Sequence, residues 1–313
     1  MKIFILDGNI KTLTMYFPIF LAKKYDILAL CDLDEKLFKN ITPILIPHYH
    51  KDFKKNIKKL VDKNIYFIIV LNFKRLGYPT INDIENDLIN DVLKDYTNYS
   101  LAYWTYNDTS KLEIQNFINQ NGNLEKSIIH REEFSKAQYL SNQNFKYHIF
   151  IENYVNQDYI DLFVSNDRIY IQDGFKRQKK NADYPKISDF SDNHYTYKSR
   201  GGVGFGDFTI IGHDLKDGGG AAYAVAIHMT NARKKIANVH HFVSDSIAGR
   251  ENPGGKFIEA LNHMIRFIDN NAVFEGIGIN TYRDLHKRKH FPGLPINKKL
   301  GIINHIEQIA NIM

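Results

Sequence analysis

One cysteine stands in the whole chain, so Cys31 excludes an intrachain disulfide framework and any thiolate zinc site built within one copy. No apolar run reaches the roughly 18 residues that a bilayer-spanning helix needs. Proline-rich and serine-rich linkers are also missing, which argues for one domain. The opening Met1–Asp7 reads as a strand rather than a signal peptide, lacking a charged flank, a long apolar stretch and a small-residue cleavage site. A reduced, cytoplasmic setting without a membrane is the expectation. Charge of one sign is scarce too: 41 basic residues face 35 acidic ones, for a net +6. That excess permits a polyanionic partner without demanding one.

What is present is a core-forming composition, 43% hydrophobic and 13% aromatic. Residues 1–152 alternate short apolar runs with amphipathic stretches. The runs predict strands at Lys2–Leu6, Ile41–Pro47, Ile65–Asn72, Leu101–Tyr106, Ser127–His130 and Tyr147–Glu152. The stretches predict helices at Tyr25–Phe38, Phe53–Lys63, Asp83–Asp95, Lys111–Asn121 and Glu132–Ser141. In Phe53–Lys63, the apolar Phe53, Ile57, Leu60 and Val61 recur at helical spacing, with lysines on the other face. Such βα units imply right-handed crossovers and a parallel sheet. The fold expectation is a single α/β domain with a (β/α)8 TIM-barrel-like architecture, and an open doubly wound sheet is the alternative.

From residue 153 to 313 the pattern changes to hairpins and glycine-rich loops. Asp161–Ser165 and Arg168–Gln172, joined at Asn166-Asp167, predict a β-hairpin. Further strands are expected at Phe208–Gly212, Ala222–Met229 and Ala237–Val243, and helices at Gly255–Asn270 and Lys298–Met313. Eleven of the 19 glycines fall between Gly201 and Gly255, among aspartates and histidines. Glycine at that density marks sharp turns or close backbone approach, the setting in which ligands and catalytic groups often sit.

Met15-Tyr16-Phe17-Pro18-Ile19, Tyr25–Leu30 and Ile41-Thr42-Pro43-Ile44-Leu45-Ile46-Pro47 resemble the opening of the bacterial and phage "beta protein" family. Gly204-Phe205-Gly206-Asp207-Phe208, Ala224–His228 and His241–Asp245 resemble a poorly characterised branch of it, often found beside a nuclease-like gene. The resemblance implies a barrel-like fold and a prophage, mobile-element or phage-defence setting. There the chain would act with a protein partner, a nuclease-like neighbour, and on nucleic acid. Phe20-Leu21-Ala22 departs from the basic, glycine-rich turn of that family.

Several residues are candidates for chemistry. Asp207, with Asp192 and His194 before the same turn, suits a general base or ligand, or a turn cap. Asp173 follows a strand end, where barrel enzymes place catalytic groups; Asp-Gly is equally a common turn. His240 is a candidate acid or base, and His228 and Asp245 candidate ligands for a divalent metal, against the simpler role of structural histidines. Gly202, Gly204 and Gly206 could offer amides to a phosphate, although neither a Walker loop nor a dinucleotide fingerprint is present, and a glycine corner is the simpler reading. Lys176–Lys180 and Arg283–His290 are the strongest basic runs, and a nucleic-acid binder would gather Lys179, Lys180, Arg283 and Arg288 on one face. Three functions remain open at this point: a defence component with a protein partner, a metal-dependent barrel phosphodiesterase, and a non-catalytic nucleic-acid binder.

Overall fold

A computed structural model describes residues 3–6, 9–12, 15–120, 122, 124–164, 167–212 and 223–313. Its strands are β1 (Ile3–Leu6), β2 (Asn9–Thr12), β3 (Met15–Tyr16), β4 (Ile19–Leu21), β5 (Ile44–Ile46), β6 (Phe67–Val70) and β7 (Tyr99–Thr105), then β8 (Lys126–His130), β9 (Tyr147–Ile151), β10 (Arg168–Gln172), β11 (Ile187–Ser191), β12 (Gly204–Asp207), β13 (Ala226–Ala232) and β14 (Ala237–Val243). The helices are α1 (Lys24–Asp32), α2 (Phe53–Asp62), α3 (Ile81–Ile84), α4 (Lys111–Asn119) and α5 (Ala137–Ser141), then α6 (Gln157–Ile160), α7 (Asn193–Thr196), α8 (Pro253–Asp269), α9 (Ile277–Arg288) and α10 (Leu294–Asn311).

Nine strands form one parallel sheet in the order β3-β12-β10-β9-β8-β7-β6-β5-β4, curled into a half-barrel and flanked by helices. From β4 to β10 the spatial order follows the chain without reversal, so the switch of direction that defines a doubly wound sheet does not occur. The two end strands are neighbours in sequence, separated by Phe17-Pro18. The Phe17 N–H donates to the Phe205 carbonyl on one side, and the Ile44 N–H donates to the Pro18 carbonyl on the other, both at 2.8 Å. Pro18 has no N–H to give, which divides the run into two short ladders.

Both sheet faces are buried, which is why these strands read as continuous apolar runs rather than alternating ones. Phe17, Ile19, Ile44, Ile68, Trp104, Ile149 and Ile171 belong to an inner cluster. Their sequence neighbours Tyr16, Phe20, Leu45, Phe67, Tyr103, Phe150 and Tyr170 pack in a separate cluster with the helices. A second, antiparallel sheet, β11-β14-β13, lies in the later half, and α10 packs across β13 and against α1. Among the described residues no helix is long and apolar enough to cross a membrane.

Three expectations need correction. Residues 161–172 are not a hairpin: α6 is capped by the Asn156 side chain, and Arg168–Gln172 pairs in parallel with β9 and β12. The Asn166 half of the expected turn lies outside the described residues, as do Gly218-Gly219-Gly220. The glycines before Phe208 are the strand, and Thr209–Ile211 is a 3-10 turn. A β-carbon on Gly204 would stand 2.5 Å from the Phe17 ring, and one on Gly206 would stand 2.0 Å from the Phe17 carbonyl oxygen. Phe17 fills the space that side chains on β12 would take. The helix expected at Glu132–Ser141 shortens to α5. The basic run from Arg283 lies in the last part of α9, as the reading of it as helical charge decoration expected.

Candidate functional site

The expected site residues do not converge. Asp207 is buried, accepting from the Tyr16 hydroxyl at 2.8 and 3.0 Å and from the Thr209 N–H at 2.7 Å. The His305 Nε2 lies 3.2 Å from the same carboxylate, while its Nδ1 meets the Thr230 hydroxyl at 2.8 Å. Burial, and then the Asp207 charge, push the Tyr16 phenol well above its ordinary pKa. This network lies between the sheet and α10 and ties β3 to α10. Asp192 is exposed at the start of α7, and His194 Nε2 meets the Arg233 carbonyl at 2.9 Å.

His228 and His241, rather than His228 and His240, meet: their Nδ1 atoms are 2.8 Å apart, and His241 Nε2 reaches the Ser188 hydroxyl at 2.8 Å. Burial lowers His228 to about 3 and His241 to about 4, so both are neutral near pH 7. His240 projects from the opposite face of β14 and stacks on Phe267, with ring centres 4.3 Å apart. Asp245 pairs with His263 at 3.0 Å. Among the described residues no group of three or more His, Cys, Asp or Glu side chains could hold a metal ion.

Gly202 is covered by the Tyr170 ring, and Gly204 and Gly206 by Phe17, so these three glycines are packing positions and not a phosphate cradle. Asp173 sits at the end of β10, with its Oδ1 facing the Gly212 Cα. Arg283 is held by Asp269 and Glu275, and Arg288 by Asp284, which spends the charge of the two arginines of the C-terminal basic run locally. Burial raises the Cys31 thiol to about 11, which fits a packing residue and not a nucleophile.

A different place has the features of a site. A cleft of about 1470 Å³ opens at the carboxyl ends of β4 and β5, the end of a parallel sheet at which α/β proteins place their ligands. Six lysines line it, Lys23, Lys24, Lys51, Lys179, Lys180 and Lys298, against three aspartates, Asp26, Asp52 and Asp183. Lys24 is paired with Asp52 at 3.3 Å. Among the described residues Lys51, Lys179 and Lys180 make no ion pair.

Each wall follows from local sequence. The chain leaves β4 through Ala22 and turns at Lys23 into α1, which puts Asp26 at the third helical position, 1% exposed. Neither oxygen of Asp26 accepts a hydrogen bond of full geometry; the Lys298 ammonium stands 3.6 Å away, and the Lys23 N–H makes a longer contact. Burial raises the pKa of Asp26, and the charges of Lys298 and Lys23 pull against that rise. After β5, Pro47-His48-Tyr49-His50-Lys51-Asp52 carries two histidines along the rim. His50 Nδ1 accepts from the Asp52 N–H at 3.3 Å, which places the proton of the neutral ring on Nε2. That Nε2 is buried without a partner. Burial, then the neighbouring His48, lower the His50 pKa.

The far wall is fixed from beneath by Lys256, the lysine of Gly254-Gly255-Lys256. Its buried ammonium donates to the carbonyls of Tyr223 at 2.8 Å, Gly249 at 2.8 Å and Ala248 at 3.3 Å. Tyr223 and Ile247, both lining the cleft, are thereby held while their side chains stay more than half exposed. Arg250 lies over the Tyr223 ring at 5.0 Å.

Sequence reasoning found Lys179 and Lys180 and missed Asp26, His48, His50 and Lys298. The signal for the histidines was present, because His48 and His50 directly follow an expected strand. The aspartate gave none: at that position it reads as an ordinary helix-start residue. Comparison with protein-family models, with curated proteins and with solved structures gave no match.

Proposed function

We propose that the protein binds a phosphodiester polyanion, a single-stranded nucleic acid, in the lysine-lined cleft at the carboxyl ends of β4 and β5. The observation that carries this reading is the charge of the cleft: six lysines face three aspartates, and three of those lysines have no ion pair among the described residues. Cationic side chains left unpaired around a concave surface focus a positive potential on it. The exposed Tyr223 ring on the rim, backed by Arg250, supplies a stacking platform that any base can use. A nucleic-acid ligand also fits the mobile-element or defence setting that the resemblance implies, with a protein partner acting beside it.

We also infer a (β/α)8-type barrel, with residues 15–21 as a single strand that borders both ends of the sheet. The hydrogen bonds of Phe17 to Phe205 and of Ile44 to Pro18 support it, as does the separate inner core. In such a barrel the cleft lies at the catalytic face.

Fluorescence anisotropy with a fluorescein-labelled dT20 oligonucleotide tests the binding. Three phosphates met by Lys51, Lys179 and Lys180 give a slope of log K against log salt near −2, at about −0.7 per contact, and hence about a 20-fold loss between 50 and 200 mM salt. Charge reversal at Lys179 and Lys180 should weaken binding at least tenfold and flatten that slope. A slope near zero, or binding indifferent to the reversal, removes the cleft from consideration.

A further inference from the structure

We propose that Asp26 is the proton-transfer residue of a phosphodiester hydrolase centred on this cleft, an inference that rests on the cleft being the nucleic-acid site. The geometry argues against a structural role. An aspartate at the third position of a helix normally accepts a well-formed bond from the backbone at the helix start, yet Asp26, 1% exposed, has only longer contacts with the Lys23 N–H and the Lys298 ammonium, and neither oxygen reaches full hydrogen-bond geometry. A carboxylate buried with no hydrogen bond costs several kcal/mol, and a lysine 3.6 Å away offsets only part of that. The other two carboxylates buried among the described residues are satisfied: Asp207 by Tyr16 and Thr209, and Glu307, on α10, by the Ile277 and Gly278 amides at the start of α9. Asp26 alone is left with acceptor capacity facing a ligand cleft.

The surrounding groups have complementary tasks. Lys298, from the closing helix, and Lys23, from the turn before α1, hold positive charge beside Asp26, while His48, His50 and the Lys24–Asp52 pair line the same cleft. The cleft lysines supply positive charge to the non-bridging oxygens of a bound phosphate. In the step, a water oxygen attacks phosphorus as Asp26 removes its proton, and the bond from phosphorus to the leaving alcohol breaks. The proton held by Asp26 is then returned to the leaving alkoxide. One water is consumed, a phosphomonoester and an alcohol are formed, and Asp26 ends as it began. General base catalysis of this kind is worth about 10²–10⁴ in rate.

Two measurements on the full chain test the proposal: turnover of bis(p-nitrophenyl) phosphate with Mg²⁺ or Mn²⁺ supplied, and dT20 binding by anisotropy. Wild-type protein is expected to do both. Asp26→Asn should lose at least 100-fold in kcat while its dT20 Kd stays within threefold, and Asp26→Glu should recover measurable turnover. Removing the neighbouring ammonium in Lys298→Met raises the pKa of the base, so the acid limb of the wild-type pH profile should move to higher pH. That readout survives if Asp26→Asn fails to fold. Wild-type binding without turnover, Asp26→Asn turnover within tenfold of wild type, or an acid limb unmoved in Lys298→Met each overturns the role of Asp26. Absence of dT20 binding overturns the cleft reading itself and Asp26 with it.

Discussion

Replacing Asp207 with asparagine keeps the shape of the side chain and removes its charge, and the structure makes the outcome a loss of stability, not of ligand binding. Three donors, the Tyr16 hydroxyl, the Thr209 N–H and the His305 Nε2–H, converge on the carboxylate. A hydrogen bond to a charged group contributes about 1.5–3 kcal/mol and a neutral one about 0.5–1.5, so three such exchanges remove roughly 3 kcal/mol. The new amide N–H₂ also faces a donor, which brings the total to about 3–5 kcal/mol, the usual cost of breaking a buried charged pair. At about 2.1 cal/mol/K per residue, a chain of 313 residues loses roughly 0.65 kcal/mol per degree at its midpoint. The expected fall in Tm is therefore about 5–8 °C, read by circular dichroism. Tyr16→Phe alone should lose about 1–2 kcal/mol, and the double variant less than the sum, because the two share one bond. Binding of dT20 should stay within twofold, since Asp207 does not line the cleft. An Asp207→Asn protein that melts within about 1 °C of wild type but no longer binds the oligonucleotide would refute this assignment.

Other perturbations separate packing from function. Gly206→Ala forces a β-carbon against the Phe17 backbone, which cannot yield as a flexible side chain would; the expected loss exceeds about 3 kcal/mol and shows as insoluble or non-cooperatively melting protein. Lys256→Met strips three carbonyls of their shared donor. It should cost about 2–3 kcal/mol, speed amide exchange around residues 223–225 and 246–250, and weaken dT20 binding through Tyr223. His148 and His228 are both held neutral by burial, at about 3. The unfolded chain takes up protons below about pH 6.5 while the native state does not, so stability is full above that pH and falls as pH drops toward 3. The loss is roughly 2–3 kcal/mol per histidine at pH 4.5. A midpoint flat between pH 7 and 4.5, measured by urea titration, would contradict it.

The strands of the first half were legible because both of their faces are buried, which makes each one a short apolar run such as Ile65–Asn72 or Tyr147–Glu152. β12 was not, because the property that makes it a strand belongs to a different residue. Gly204 and Gly206 are small because Phe17, almost 190 positions earlier, occupies their space, its ring against Gly204 and its carbonyl against Gly206. Residues 161–164 carried turn chemistry and apolar character together, and nothing local distinguishes a hairpin arm from the turn that follows a short capped helix. The site behaved in the same way. Lys179-Lys180 announces itself as a charge run, and His48 and His50 follow a strand end. The meaning of Asp26 depends on Lys298, which arrives 272 residues later.

The Tyr16–Asp207–His305 network bears on how the chain is made. Tyr16 and His305 are separated by 289 positions and Tyr16 and Asp207 by 191, so β3 emerges from the ribosome long before either partner exists. Until then its phenol and the apolar flank around it lack their native cover. Synthesis at about 5–20 residues per second leaves that surface waiting for roughly 15–60 seconds. A nascent chain stalled before α10 should therefore stay protease-sensitive at residues 15–21 and bind chaperones there, and emergence of α10 should be the event that makes this part of the molecule resistant.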